Sequence, residues 1–161
     1  MSDDRHQQHG AMSMGYGRFA AMIATSTAVM FGLMYVNVYA LGHVTFSQTR
    51  FWMAFVMGAA MALIMLGFMW SMYKNKRLNA AILGGAVLVL AAALWLVRSQ
   101  ETVGDVSYMK AMIPHHSIAI LTSERARITD PRARKLADEI IRAQRREIAE
   151  MNALIAELER R

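Results

Sequence analysis

The run Met109-Lys110-Ala111-Met112-Ile113-Pro114-His115-His116 gathers two thioethers and two imidazoles in a short stretch. On a helix Met112 lies three and four residues before His115 and His116, so a thioether and at least one imidazole share a face, and Met109 stands one turn earlier. Imidazole with thioether suits a soft monovalent ion such as Cu(I), with Ag(I) as its chemical mimic, and the run lacks the carboxylates that a hard ion wants. Such binding needs neutral imidazoles, so affinity falls below the histidine pKa, near 6.5 when unperturbed. The chain has no cysteine and 15 methionines, so a soft metal must be held by Met and His. Methionine is also a flexible core filler. Spacing alone leaves both readings open.

The elements that must position these groups lie in a charged C-terminal segment. Gly104-Asp105 is a helix start, after which Val106, Met109, Met112, Ile113, His116 and Ile120 recur at helical spacing to about Arg127. Pro114 removes a backbone donor and disfavours a helical Ile113, so the helix kinks or starts there. Thr129-Asp130-Pro131 marks a second start, with Asp130 as N-cap and Pro131 in the first helical position. In the helix that follows, Ala133, Leu136, Ile140, Gln144, Ile148, Met151, Ile155 and Leu158 form one stripe. A short connection between amphipathic helices implies an antiparallel hairpin, too small to be stable alone, so copies are expected to pair as a homo-oligomer and complete a bundle.

Upstream the chain changes character. Of all residues 55% are hydrophobic, and these concentrate between Phe19 and Val97. Three runs free of Asp, Glu, Lys and Arg, at Phe19 to Leu41, Trp52 to Tyr73 and Asn79 to Val97, match the roughly 20 apolar residues needed to cross a bilayer. The expected organisation is all-α: a disordered tail over 1–18, a three-helix transmembrane domain over 19–97, and an extracytoplasmic hairpin over 98–161. The loop Lys74-Asn75-Lys76-Arg77 carries three positive charges and reads as cytoplasmic, which places the N-terminus inside and residues 98–161 outside. From Arg98 onward, bases and acids interleave to a charge near +2, so no one-sided basic field points to nucleic acid.

Three further groups have two readings each. His6, His9, Met12 and Met14 sit in a Gly- and Gln-rich tail that either captures metal or is a plain polar leader. Met53, Met57, Met61, Met65, Met69 and Met72 wind along the second apolar run as a conduction path for Cu(I) or as ordinary packing beside the close-approach pair Gly58 and Ala62. His43 can join an outer site by topology alone. Thr25, Ser26, Thr27 and Asn37 suit hydrogen bonds between helices.

The run from Tyr108 to His116, followed by Ala119-Ile120, resembles the signature of the domain-of-unknown-function family 305, whose members are ferritin-like helical proteins that include periplasmic copper binders. The run Ile141-Arg142-Ala143-Gln144-Arg145-Arg146-Glu147-Ile148-Ala149-Glu150-Met151 is similar to that family's second signature, and Ser71-Met72-Tyr73-Lys74-Asn75-Lys76 with the His- and Met-bearing N-terminus resembles its membrane-anchored subgroup. The resemblance implies half of a ferritin-like bundle with metal contacts at Met112, His115, His116 and Met151. It departs from the family at Ser117, where a polar residue such as Gln is usual, and at Thr122, where a methionine is usual. With no Glu-x-x-His pair, phosphate loop or nucleophile motif, the expectation is a binder of Cu(I) in a bacterial inner membrane and not an enzyme. The alternatives are Cu(I) transport along the methionine stripe and a structural membrane subunit with no metal role.

Overall fold

A computed structural model describes residues 3–160, with side chains from Gly15 onward. The described residues form five α-helices and no strand: α1 Asp3–Leu33, α2 Gln48–Phe68, α3 Lys76–Ser99, α4 Asp105–Arg125 and α5 Pro131–Leu158, with a single 3-10 turn at Leu41–His43. They divide into two compact units, residues 1–31 with 52–99 and residues 32–51 with 100–161. Where the sequence places a tail over 1–18, the backbone of α1 runs from Asp3. The side chains of His6, His9, Met12 and Met14 lie outside the described residues.

Two helices, α2 and α3, are long and apolar enough to cross a membrane. The expected third span is corrected here. The apolar run continues to Leu41, but α1 ends at Leu33 and gives way to turns closed by Tyr35 N–H on Gly32 O and Val36 N–H on Leu33 O. From Phe19 that leaves about 15 apolar helical residues, roughly 22 Å at 1.5 Å per residue against a hydrocarbon core of about 30 Å. Contacts beyond the helix direct the chain away: Arg50 Nη1 donates to Met34 O at 2.7 Å, its guanidinium lies 4.6 Å from the Tyr35 ring, and Ser47 N–H donates to the Tyr35 hydroxyl at 3.0 Å.

In the first unit, Phe19, Ala62, Leu66 and Ala86 form a core, with Ile23, Leu63, Met65, Tyr73, Ile82 and Leu83 against it. The small residues of α2 permit this close packing. A Cβ on Gly58 would strike the Thr27 hydroxyl, which itself donates to Ile23 O at 2.8 Å. Within the methionine stripe Met65 packs against that core, whereas Met53 and Met72 are exposed. On α3, Val87, Leu88, Val89, Leu94 and Trp95 are all exposed, apolar side chains that none of the described residues covers.

In the second unit α4 and α5 form the antiparallel hairpin that the sequence predicts. Lys110 pairs with Glu159 at one end, and Arg134 Nη2 donates to Ser123 O at the other. Met109, Ile113 and Ile120 of α4 meet Ile148 and Ile155 of α5, with Val106, Ile141, Met151 and Leu158 completing the core. The predicted α5 stripe holds in its C-terminal half. In the N-terminal half Ala137 is buried and Leu136 is 58% exposed, because the seam follows the alternating steps 137, 141, 144, 148, 151, 155 and 158 of a paired helix.

Asp130 caps α5 as expected: its carboxylate accepts from Arg132 N at 2.8 Å and Ala133 N at 3.4 Å, and Arg132 Nη2 donates to its second oxygen at 2.8 Å. The Arg132 side chain foremost, then the two backbone donors, pull its pKa from 3.8 down to about 2. A lowered carboxylate pKa contributes stability that is present above 3.8 and fades as pH falls through about 2. We therefore expect the start of α5 to fray between those limits. Asp130→Ala should remove that part of the acid transition, as followed by amide exchange at Arg132 and Ala133.

Candidate metal centre

Pro114 lies inside α4, fully buried, and the helix continues through it. Lacking an N–H, the proline cannot serve the carbonyl four residues back, which is that of Lys110. Thr45 takes that place: its hydroxyl donates to Lys110 O at 2.5 Å. The same segment grips the next turn, where Tyr39 N–H donates to Ser117 Oγ at 2.7 Å and His43 Nδ1 lies 2.9 Å from that oxygen. Ser117 is completely buried. The helix thus keeps its register across the proline, and the residues on either side of it hold fixed directions. Nothing in the local pattern identified Thr45 or Ser117 for this role, although a proline inside a helix does signal that its i−4 carbonyl needs an outside donor.

With that register, Met109, Met112 and His116 of α4 and Met151 of α5 line one groove of about 590 Å³ in the second unit. Tyr108, Leu154 and Leu158 extend its apolar wall, and Asp105, Glu147, Glu150 and Glu157 bring carboxylates to it. Met109 is 7% exposed and roots the groove in the core, while Met112 and Met151 are half-buried. His115 is exposed and does not line the groove; its ring centroid stands 6.0 Å from that of His116, at 61°. Neighbouring helical residues point about 100° apart, so only one of the pair can face α5. His43 ends on Ser117 and does not reach the groove lining.

His116 Nδ1 is buried and 3.0 Å from Glu147 Oε2, yet no aligned hydrogen bond joins them. The approach leaves the nitrogen without a well-directed partner. Gln144 Nε2 donates to the same Glu147 oxygen at 3.3 Å, which anchors the carboxylate beside the ring. A buried imidazole nitrogen without an aligned bond costs free energy that a ligated ion would recover.

Among the described residues, no three His, Cys, Asp or Glu side chains gather as a metal-holding group. The groove brings three thioethers from two helices to the same lining as one imidazole, a set that fits a soft ion, while its four carboxylates are not gathered as a metal-holding group.

A family comparison covers this same part of the chain. Residues 96–161 match the family described as "Domain of unknown function (DUF305)". A stretch of 73 residues is 38% identical to an uncharacterized protein of Acanthamoeba polyphaga mimivirus, covering 44% of this chain and 48% of that protein. The chain therefore spans about half the length of that curated relative. No solved structure matches the chain.

Proposed function

We propose, for a chain whose residues 96–161 belong to the DUF305 family, a membrane-anchored protein that sequesters Cu(I) or hands it on outside the cytosol. The observation that carries this reading is the groove itself. Met109, Met112 and Met151 line it together with His116, whose buried Nδ1 lacks an aligned partner. Met112, His116 and Met151 are positions at which the family resemblance implies metal contact, and Met109 joins them through the geometry.

The anchor is α2 and α3, whose exposed apolar side chains suit lipid. A two-span hairpin returns the chain to the side it left. In keeping with this, the segments before α2 and after α3 belong to one compact unit, joined by Thr45 on Lys110 O and Thr49 Oγ1 on Gln100 Oε1 at 3.2 Å. Lys74-Asn75-Lys76-Arg77 between the spans favours a cytoplasmic loop, which sets the groove on the periplasmic side of a bacterial inner membrane.

The test is a titration of the full chain in detergent with Cu(I) against a competing chelator, under anaerobic conditions. We expect binding tighter than micromolar at pH 7. Affinity no better than micromolar would remove the proposal.

A further inference from the structure

A second cavity, of about 840 Å³, belongs entirely to the first unit and plays no part in the groove described above. It forms where the described side chains of α1 begin and where α2 gives way to the 69–74 turn. Its wall is rigid. Tyr16 and Tyr73 have ring centroids 4.7 Å apart, and Phe19 meets Tyr73 edge-on at 5.7 Å. The Tyr16 hydroxyl donates to Asn79 Oδ1 at 2.6 Å, and the completely buried Asn79 donates through Nδ2 to Tyr73 O at 2.9 Å. Phe19, Ala21, Met22 and Met69 make the interior apolar, while Arg18 and Lys74 stand at it as cations.

Among the described residues no carboxylate lines this cavity, and neither Arg18 nor Lys74 has an ion-pair partner. Two uncompensated cations beside an apolar slot disfavour a metal cation despite the methionines there. They favour a ligand that is anionic at one end and apolar along the rest. Basic pockets beside the ends of membrane helices are suited to anionic lipid headgroups.

We infer that this cavity binds an anionic phospholipid, its phosphate held by Arg18 and Lys74 and its acyl chain lying along Phe19, Met22 and Met69. The inference rests on α2 and α3 crossing a bilayer, and it does not depend on copper binding. The lipid ties the start of the apolar part of α1 to the end of α2.

The experiment follows thermal unfolding of the full chain in nonionic micelles with added phosphatidylglycerol or with phosphatidylcholine of the same acyl chains. Phosphatidylglycerol should raise the midpoint and phosphatidylcholine should not. In Arg18→Gln with Lys74→Gln, the half-saturating lipid concentration should rise about thirtyfold, from the loss of two cations near a surface phosphate. Lys76→Gln with Arg77→Gln should respond as wild type. Equal stabilisation by both lipids, an unchanged response in the Arg18/Lys74 variant, or the same shift from inorganic phosphate alone would overturn the proposal. If that variant does not fold, native mass spectrometry of the wild type decides: preferential retention of phosphatidylglycerol supports the site and equal retention sinks it. Micelles have no sides, so the outcome is independent of topology. A chain that stays monodisperse without detergent would overturn the membrane reading itself.

Discussion

Replacing Met112 and Met151 together by leucine should lower Cu(I) affinity by more than about a hundredfold while leaving the helical hairpin folded. The two thioethers line the groove from opposite helices, so the double change removes one sulfur donor from α4 and one from α5. Changes that merely reorient metal ligands already cost roughly 10–100-fold, so losing two direct donors should exceed that. Leucine has nearly the volume of methionine, and such swaps in packed sites usually cost less than about 1.5 kcal/mol. Helix content and melting therefore serve as the control. His115→Ala is the matching comparison: the ring is exposed and outside the groove, so affinity should change no more than a few-fold. Chelator competition measures both. An unchanged affinity in the double variant would show that the sulfurs are core filler, and a large loss in His115→Ala would place the ion on the other side of α4.

That comparison also marks where sequence reasoning stops. Adjacent histidines were legible as chemistry, but which of them faces α5 depends on the register that α4 keeps through Pro114. The Thr45 hydroxyl on Lys110 O and the Tyr39 N–H on Ser117 Oγ hold that register from 65 and 78 residues away, and no local pattern encodes it. The hairpin was readable because its signals are local: Asp130 and Pro131 at the start of α5, Gly104 and Asp105 at the start of α4. In α5 the apolar pattern admits two seams one residue apart. The choice of Ala137 over Leu136 is made by the partner helix, which the sequence does not display. The first apolar run misled for a similar reason. Composition carries it to Leu41, yet Arg50 takes the Met34 carbonyl and the chain turns. By contrast, the close approach at Gly58 was visible from residue size alone, and Thr27 is what fills it.

The hairpin's small core provides the second large effect. Ile120 is completely buried in the hairpin's core, so Ile120→Ala should destabilise this unit by about 2–5 kcal/mol through lost burial and the cavity left behind. Domains are stable by only about 5–15 kcal/mol, and a unit this small sits toward the low end, so the variant should be partly unfolded at 37 °C. Ile120 lies outside the groove lining and offers no donor, which separates folding from binding. An ion held by Met112 and Met151 bridges the two helices and binds only the folded hairpin. At a free concentration a thousand times its dissociation constant it would therefore return about 4 kcal/mol. Thermal unfolding of Ile120→Ala with and without Cu(I) should accordingly show recovery of most of the lost stability. The same addition should do little for a chain that also carries Met112→Leu and Met151→Leu. Recovery that persists without those sulfurs would mean the metal stabilises the chain from elsewhere, and absence of recovery in Ile120→Ala itself would mean that the folded hairpin is not what binds it.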